Sequence, residues 1–308
     1  MNNMKRFALQ DKRKRNYFEG WYVRILDQAQ GLNVALIFAK THFHKDPHAF
    51  LQIFDAVAGT NRYLRFPLAS FSFEDGCVRI GEQTLSPEHI HVSEADVSVT
   101  LTISNPVELG KKSAMGPLLA LPLECYQEVI YMAARVAGSV RLGTKTITIE
   151  NGQSYMEKTY GRRFPKRWFW LQANRFDEQV AISLAGGKVP TLLFKKFGYF
   201  FILHLPQKTL VLATYNFARL KFSEQADGTI WFSLKKGRYK IHMVARQIHP
   251  VVLVGPQKHG EMTLDVPESL ESTVHLEVYD RHKLIYEGFS EAAGFEWMYK
   301  KTDQRSKT

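Results

Sequence analysis

The sequence predicts an all-β protein made of two tandem antiparallel β-barrels that pack closely together, with little helix. Short segments in which apolar and polar residues alternate recur along the whole chain, and turn residues separate them. The 308 residues are too many for one barrel of ordinary size and suit two domains of about 150 residues each. Aromatic residues make up 13% of the chain, and such side chains fit the half-buried surface of a sheet.

Strand and hairpin patterns are clear in the first half of the chain. Residues 97–103 (VSVTLTI) alternate strictly between apolar and polar side chains. The short runs on either side of Asp75-Gly76, and those on either side of residues 143–145 (GTK), predict two hairpins, because Asp and Gly accept the positive φ angles of tight turns. Residues 124–137 are the one helix candidate, and we favour a strand there because the segment contains the run VIY.

Further strands are predicted at nearly even spacing through the rest of the chain. Many short strands with turn residues between them are typical of a barrel or sandwich. The segments are residues 34–39, 50–54, 70–73, 77–80, 140–142, 146–149, 168–173, 180–184, 200–205, 210–215, 229–234, 240–245, 261–266 and 274–279.

An internal echo suggests where the chain divides. Residues 17–22 (YFEGWY) and residues 155–160 (YMEKTY) share Tyr, Glu and Tyr at identical spacing. If each segment opens one half, the domains span residues 1–150 and 151–308, with the boundary near Asn151-Gly152. This stretch contains no linker rich in Pro, Ser or Gly, so we expect the barrels to pack closely rather than to move freely.

Composition favours a protein of a reducing compartment. The chain has only Cys77 and Cys125, far apart in sequence, so a disulfide framework is not expected. The first 22 residues lack the apolar core of a secretory signal, and no run of 18 or more apolar residues could span a bilayer. We therefore expect a cytoplasmic location, with peripheral membrane contact left open.

The formal net charge of +11 leaves three interpretations of the surface. Basic residues concentrate at residues 12–15, 162–167, 195–196 and 235–240. They can serve solubility and protect strand edges, or bind anionic lipid headgroups at about 1 kcal/mol for each well-placed residue, or bind nucleic acid. We favour the first interpretation and keep the second, in which residues 12–15 contact an anionic membrane. No nucleic-acid partner is expected, because no recognition motif accompanies the charge.

Four segments resemble the tocopherol cyclase family, in order along nearly the whole chain. They are residues 17–22 (YFEGWY), residues 50–55 (FLQIFD) followed by 65–73 (RFPLASFSF), residues 155–176 (YMEKTYGRRFPKRWFWLQANRF), and residues 260–264 (GEMTL). The third is the most specific, because it resembles the family pattern Glu-Lys-x-x-Gly, then Phe-Pro-x-x-Trp/Tyr-x-Trp, then Gln-x-Asn. Thr159-Tyr160 depart from this pattern, which usually has Asn-Trp.

The resemblance implies two lipocalin-like barrels and, as in characterised members, closure of a prenylated quinol to a chromanol. Such a closure adds a phenol oxygen across an alkene without redox change, so it needs no nicotinamide, flavin or metal cofactor. It does need a carboxylic acid kept protonated by burial, aromatic faces beside the tertiary cation, and a dry apolar cavity. The expected partner is therefore a hydrophobic small molecule such as an isoprenoid quinol or another lipid.

The echoed motifs and the segment that follows the second of them supply eight candidate residues. Glu157 is the predicted acid, and Tyr160 is predicted to orient it or the substrate. The amides at positions 172 and 174 should share one strand face and bond the quinol oxygens. The substrate-binding set comprises Glu19, Trp21, Trp168, Trp170, Gln172 and Asn174.

Structural roles compete with these assignments. A Glu in both echoed motifs could instead hold a strand entrance through backbone N–H groups or an Arg, and Lys158 is expected to be an ion-pair partner rather than a nucleophile. Trp21 could close one end of a lipocalin-like barrel. The departure at Thr159-Tyr160 also leaves open a non-catalytic carrier that binds a lipid or isoprenoid.

Other classes of site lack their usual motifs. The sequence contains no GxSxG, P-loop, HExxH or GxGxxG pattern, so hydrolase, kinase, metalloprotease and dehydrogenase functions are not predicted. His42, His44 and His48 could be considered metal ligands, but residues 45–47 (KDP) interrupt the strand between them. We therefore expect no metal site.

Overall fold

The computed structural model describes residues 3–10, 15–110, 113–176, 179–190 and 195–299. Within these residues the chain forms a short helix, α1 (Asn3–Phe7), and strands that divide into an 11-stranded and a 10-stranded antiparallel sheet. No helix in this part of the chain is long and apolar enough to cross a membrane. The all-β class predicted from the sequence is confirmed.

The first sheet contains every strand up to Gly161. Its order is β4-β3-β2-β1-β11-β10-β9-β8-β7-β6-β5. The two edge strands, β4 and β5, are consecutive and are joined by a three-residue turn at Leu68–Ser70, so the sheet curls into a barrel. The strands are β1 (Phe18–Asp27), β2 (Leu32–Thr41), β3 (His48–Asp55), β4 (Thr60–Pro67), β5 (Phe71–Glu74), β6 (Cys77–Ile80), β7 (Gln83–Leu85), β8 (His89–Glu94), β9 (Val97–Ser104), β10 (Cys125–Leu142) and β11 (Lys145–Gly161).

The second sheet repeats this topology. Its order is β15-β14-β13-β12-β21-β20-β18-β17-β16, with β19 paired to β20, and the edge strands are again consecutive and joined by a short turn, Thr214–Asn216. In both barrels the first strand therefore pairs with the second and with the last. The strands are β12 (Trp168–Ala173), β13 (Ala181–Pro190), β14 (Lys195–Leu205), β15 (Lys208–Ala213), β16 (Arg219–Glu224), β17 (Ile230–Lys236), β18 (Tyr239–Arg246), β19 (Val251–Pro256), β20 (Met262–Asp280) and β21 (Lys283–Trp297).

The change from one sheet to the other lies between Gly161 and Trp168, later in the chain than the boundary placed at residues 150/151. β11 runs through that boundary without a break and pairs with β1, Glu157 opposite Tyr22 and Tyr160 opposite Glu19. The echoed motifs at residues 17–22 and 155–160 are thus neighbouring antiparallel strands of one barrel, and they do not open the two halves.

Local predictions of turns and strands agree with the structure. Asp75 and Gly76 both have positive φ (51° and 72°) and connect β5 to β6, because a two-residue hairpin of this kind needs left-handed residues. Gly143, with a φ of 59°, turns the chain from β10 into β11. Residues 124–137 contribute to β10 as a strand rather than a helix.

Three apolar cores result: one inside each barrel and one between the barrels. Alternate residues of the two first strands explain the arrangement. In β1, Trp21 points into the first barrel while Tyr22 points to the interface; in β12, Phe169 points into the second barrel while Trp170 points to the interface. A strand that is buried on both faces has a nearly continuous apolar sequence, and residues 168–173 (WFWLQA) have this pattern.

Candidate active site

The interface between the barrels contains two cavities that share part of their walls. The larger has a volume of about 290 Å³ and the smaller about 90 Å³. Both are lined by Glu157, Thr159, Phe164 and Glu296, which come from β11, the connection between the barrels, and β21. Apolar and aromatic side chains form most of the remaining wall of the larger cavity: Met115, Leu118, Leu121, Leu123, Tyr126, Trp168, Phe169, Trp170, Phe197, Tyr199 and Phe200.

Glu157 is fixed by three donors that converge on one carboxylate oxygen. Its Oε2 accepts hydrogen bonds from the Tyr155 hydroxyl (2.6 Å), the Gln127 amide (2.8 Å) and the Trp170 indole N–H (3.0 Å). Among the residues that the structure describes, none donates a hydrogen bond to Oε1. The carboxyl is therefore held in one orientation by Oε2 alone, and Oε1 is available to a molecule in the cavity.

Burial and these hydrogen bonds act on Glu157 in opposite directions. Burial raises the pKa of its carboxyl above the ordinary value, because the charged form loses its hydration. The bonds from Tyr155, Gln127 and Trp170 lower the pKa again, since each donor stabilises the carboxylate. The net pKa stays raised, so Glu157 keeps its proton to a higher pH than an exposed glutamate does.

A second acidic unit, the Glu268–Glu296 pair, belongs to the second barrel, and its Glu296 lines both cavities. The two residues lie directly opposite each other on β20 and β21, and both line the smaller cavity. Tyr22 donates a hydrogen bond to Oε1 of Glu268 (2.7 Å), and the Trp168 indole N–H donates to Oε2 of Glu296 (2.5 Å). The pair therefore connects β1 of the first barrel with β12 of the second.

The Glu268–Glu296 pair retains a proton more strongly than Glu157 does. Burial raises the pKa of Glu268 well above its usual range, and the nearby Glu296 carboxylate raises it further. Burial raises the pKa of Glu296 to about 7. The hydrogen bond from Trp168 opposes this rise, the charge of Glu157 adds to it, and a weaker hydrogen bond from Glu268 also opposes it. Glu268 thus carries the proton that the pair shares, and Glu296 titrates close to neutrality.

Two tryptophans shape the wall beside these carboxyls. Trp168 and Trp170 both line the larger cavity, as expected for residues that contact a ligand. Phe164 packs edge-on against Trp168 with ring centroids 5.5 Å apart, and Tyr22 packs edge-on against Trp170 at the same distance. A Cβ at position 294 would be 2.8 Å from the Trp170 ring, so Gly294 leaves the room that the indole occupies beside β21.

Glu19, Trp21 and Tyr160 lie elsewhere, near one end of the first barrel. Glu19 and Lys158 form a buried ion pair (3.3 Å), which agrees with the ion-pair role expected of Lys158. Trp21 packs against Phe71 and Phe73 in the barrel core and donates its indole N–H to the Phe7 carbonyl (2.8 Å). Tyr160 stacks on Tyr126 with centroids 5.0 Å apart. None of Glu19, Trp21 and Tyr160 lines either cavity described above.

Gln172 and Asn174 were predicted to share one strand face and to bond the ligand; both point towards the first barrel, where they bind protein groups. Oε1 of Gln172 accepts a hydrogen bond from Arg24 (3.1 Å), and Nδ2 of Asn174 donates to the Ser154 carbonyl (2.9 Å). Arg24, which sequence reasoning did not single out, is completely buried, and its other bonds go to Asn33, Leu270 and Ala292. These residues join the barrels beside the cavities without lining them.

The histidines considered as metal ligands contact other groups. His44 bonds to Asn16 (3.0 Å), and His48 bonds to the Tyr63 hydroxyl (2.8 Å). In the described part of the chain, the one group with metal-ligand geometry is His275, Glu277 and Glu287, whose ligand atoms lie within 4.8 Å of one another. It is on the solvent-exposed face of β20 and β21, where such acidic groups are common without a metal.

A family model described as tocopherol cyclase-like matches residues 94–297, which is more than half of the chain. The chain belongs to the tocopherol cyclase-like family. The match covers Glu157, Glu268 and Glu296, and it spans the connection between the two barrels. The membership predicted from the four sequence segments is thereby confirmed.

Individual relatives of this tocopherol cyclase-like chain are distant. The chloroplast tocopherol cyclase of maize (Zea mays) is 32% identical over 79 residues, which is 24% of this chain and 17% of the maize protein. Kievitone hydratase from Nectria haematococca has a similar fold, with a TM-score of 0.53 and 12% identity over 91% of this chain and 89% of that one. CghA, solved with Sch210972, has a TM-score of 0.56 and 11% identity over 91% and 86% of the respective chains.

Sequence reasoning missed two of the three carboxyls at the acidic site of this family member. Glu268 and Glu296 lie in separate strand segments, and only the pairing of β20 with β21 brings them together. One signal was available for Glu296, which is the single charged residue among residues 292–299 (AAGFEWMY). A lone acid in such an apolar strand is expected to be buried and hydrogen-bonded.

Proposed function

We propose that the protein catalyses an acid-initiated cyclisation of a prenylated quinol, or of a related isoprenoid phenol, to a chromanol-type product. The observation that carries the proposal is a cavity with two separate acidic units, the Glu268–Glu296 pair and Glu157, among aromatic side chains. Family membership supports an intramolecular addition of this kind. The reaction is an isomerisation, so the product has the same atomic composition as the substrate: one proton is added to carbon and one is lost from the phenol oxygen.

The Glu268–Glu296 pair is the better source of the first proton. Its pKa values are the higher ones in the cavity, and Glu268 can replace the proton that Glu296 gives up. The proton adds to the less substituted carbon of the alkene, whose π electrons form the new C–H bond and leave a tertiary cation. This differs from the role expected from the sequence, which made Glu157 the acid.

Glu157 is the better acceptor for the phenol proton. Three hydrogen bonds to Oε2 stabilise its carboxylate, and Oε1 is accessible from the cavity. A lone pair of the phenol oxygen forms the C–O bond to the cation, and the O–H proton passes to Oε1. Return of that proton to the pair restores the starting state, so no net proton is gained or lost.

The walls of the cavity suit a cationic intermediate. The faces of Trp168 and Trp170 can stabilise an adjacent positive charge, and the apolar lining keeps out water that would capture it. A volume of about 290 Å³ is at the lower end for ligand sites, which suits an aromatic ring and the first part of an isoprenoid chain. Thr159, at the position where the family pattern has Asn, faces both cavities and is a natural determinant of substrate choice.

Turnover of a prenylated quinol by the purified protein tests the proposal. We expect chromanol formation, detected by chromatography and mass, and a bell-shaped pH profile whose falling limb lies near the pKa of Glu296, about 7. Glu296→Gln should lower kcat by about 10²-fold or more and remove the falling limb, and Glu157→Gln should remove the rising limb.

Glu287→Gln is the matched control, because Glu287 is an exposed acid on the same strand and lines neither cavity. It should retain the wild-type rate and pH profile. Equal turnover in wild type and in both Glu157→Gln and Glu296→Gln would refute the acid–base assignment.

A lipid carrier is the alternative that the apolar cavity also fits. Its signature would be an intact lipid that co-purifies with the protein, seen by native mass spectrometry, together with no product when a quinol is added. Glu296→Gln should bind the ligand under both alternatives. Only an enzyme would show turnover in the wild type and lose it in this variant.

A further inference from the structure

An uncharged loop stands at the wall of the larger cavity. Residues 114–123 (AMGPLLALPL) connect β9 to β10 and contain a short 3₁₀ helix, Gly116–Ala120. Leu118, Leu121 and Leu123 line the cavity, yet Leu121 also has 45% of its surface exposed. The loop therefore has one apolar side in the cavity and another in solvent, where exposed leucines cost free energy unless something covers them.

Phe217 presents a second exposed apolar group beside this loop. Its side chain is 91% exposed, and its φ of 61° is in the left-handed region, which non-glycine residues rarely adopt. Asn216 fixes the turn, because its side chain accepts a hydrogen bond from the Ala213 N–H (2.9 Å) and donates one to the Val211 carbonyl (2.9 Å). The backbone thus holds a large aromatic side chain out in solvent.

Tyr215 connects the loop and the Phe217 turn into one surface. Its hydroxyl donates a hydrogen bond to the Ser113 carbonyl (3.1 Å), and its ring lies so close to Gly116 that a Cβ there would be 2.6 Å away. Thr214, which begins the turn, lines the larger cavity. We call residues 116–123 together with Phe217 the mouth surface.

Basic side chains flank the mouth surface on two sides. Arg162 and Lys166 are exposed next to Phe164 and Pro165, which line the cavity. On the other side, Arg219 follows the Phe217 turn and pairs across the sheet with Lys235, and both are exposed. Within the part of the chain that the structure describes, none of these four forms an ion pair with a carboxylate. An apolar centre with free basic residues around it fits the surface of an anionic bilayer.

We propose that the mouth surface docks on anionic membranes, with residues 116–123 and Phe217 in the lipid interface and Arg162, Lys166, Arg219 and Lys235 against phosphate headgroups. A molecule dissolved in the bilayer then enters the cavity past Leu118 and Leu121 without crossing water. The membrane-docking proposal goes beyond the proposed function, because it assigns a binding surface rather than a reaction. It also differs from the contact expected through residues 12–15, of which residues 12–14 lie outside the described part of the chain.

Vesicle flotation with the purified full-length protein and no substrate tests the proposal. The probes are phosphatidylcholine vesicles with and without about 30% phosphatidylglycerol. Wild type should float with the anionic vesicles, and binding should weaken at about 0.5 M NaCl because the headgroup contacts are screened. The double variant Leu121→Gln/Phe217→Ser should lower the bound fraction about tenfold or more.

Two controls distinguish the loss of this membrane contact from a general effect of removing exposed apolar residues and from unfolding. Val57→Gln/Phe289→Ser removes two other exposed apolar side chains (58% and 48%) that line neither cavity, and it should bind like wild type. Arg219→Gln/Lys235→Gln should weaken binding to anionic vesicles, with an unchanged melting temperature. Absence of wild-type binding, or equal losses in the two apolar double variants, would overturn the proposal.

The result does not depend on catalysis. Glu296→Gln should bind vesicles like wild type even where it turns over no substrate. Phe217→Ser/Arg219→Gln, which changes no residue of either cavity wall, should retain turnover of a short-chain quinol presented in solution and lose most of the turnover of a long-chain quinol embedded in vesicles. Failure of the reaction with the soluble quinol would count against the proposed function, and failure of flotation would count against the membrane surface.

Discussion

At the scale of single residues, the three cavity carboxyls differ in the partners that they accept hydrogen bonds from. Glu157 has three donors on one oxygen, whereas Glu296 has the Trp168 indole and its neighbour Glu268. All three are buried enough for their pKa values to rise, but the donors moderate the rise at Glu157. Groups whose environments separate their pKa values in this way can divide the roles of acid and base between them.

The raised pKa of Glu296 has a consequence for stability. Its folded-state pKa of about 7 exceeds the ordinary value of 4.5, so the group contributes stability below pH 4.5 that is lost as the pH rises through about 7. Glu296→Gln removes this loss of stability, because an amide does not ionise. The amide oxygen can still accept the hydrogen bond from the Trp168 indole. The variant should exceed wild type by up to about 3 kcal/mol in free energy of unfolding at about pH 8, measured in denaturant.

The comparison should be repeated at about pH 5, where wild type and Glu296→Gln should differ by much less because Glu296 is then protonated in the folded protein. Glu287→Gln, on the exposed side of the same strand, is the control for a general effect of replacing an acid on β21. A stability difference that does not change between the two pH values would show that Glu296 does not titrate in this range.

At the scale of single residues, sequence reasoning identified the cavity residues that lie within one short motif. Glu157, Trp168 and Trp170 were selected from a short motif, and all three line the larger cavity. Glu268 and Glu296 are neighbours only through strand pairing, which no short motif encodes. Tyr160 was expected beside Glu157, but it lies three residues further along β11 and stacks on Tyr126 instead. The substrate-binding roles of Trp168 and Trp170 stay predictions.

At the scale of elements, the two barrels repeat the same order of strands. β1 and β12 are the first strands of their barrels, and each pairs with the last strand, Tyr22 opposite Glu157 and Trp170 opposite Glu296. The two carboxyls therefore occupy equivalent positions in the two barrels. The echo read from the sequence instead matched β1 with its own neighbour, β11, and therefore placed the boundary too early.

Strand positions followed from alternation, but strand lengths did not. Residues 168–173 were predicted and observed as a strand with the same bounds. β10, in contrast, runs for 18 residues, and its pairing with β11 shifts register at three places, between Val129 and Gly138. Each shift reverses the face that a residue occupies, so the alternation is broken although the strand continues.

Arg24 is the contact between elements whose removal we expect to matter most. Its guanidinium binds Asn33 of the first barrel and Gln172, Leu270 and Ala292 of the second, all in a buried setting. Arg24→Met should lower the free energy of unfolding by about 3 kcal/mol, because the buried carbonyls lose their donors. Chemical denaturation measures this change.

Arg62→Met is the control for the Arg24 variant. Arg62 pairs with Asp96 at the surface, where an ion pair contributes about 0–1 kcal/mol. If Arg24→Met were no more destabilising than Arg62→Met, the guanidinium would not be holding the barrels together.

At the scale of the whole molecule, neither barrel contains the proposed site by itself. Each barrel has an apolar core of its own, and the carboxyls line a cavity where the two sheets face each other. Composition and turn spacing predicted two closely packed barrels. They could not predict which faces would meet, because that depends on contacts such as those of Arg24 between residues more than 140 positions apart.

The interface also determines how a large substrate would fit. A cavity between two rigid barrels can be extended at its open side, where residues 116–123 form the wall. An isoprenoid chain could therefore leave the cavity at the mouth surface while its ring stays beside the carboxyls. A substrate held in this way would place one particular alkene, the one next to the ring, within reach of Glu296.

Deuterium incorporation during a single turnover in D₂O tests the central claim, proton delivery to carbon by a buried carboxyl pair. Wild type should convert a prenylated quinol to a chromanol that carries one carbon-bound deuterium, read by mass spectrometry after exchange of the labile hydrogens. Glu296→Gln should bind the quinol and form no labelled product. A wild-type chromanol without carbon-bound deuterium, or the same labelled product at the same rate from Glu296→Gln, would contradict the account.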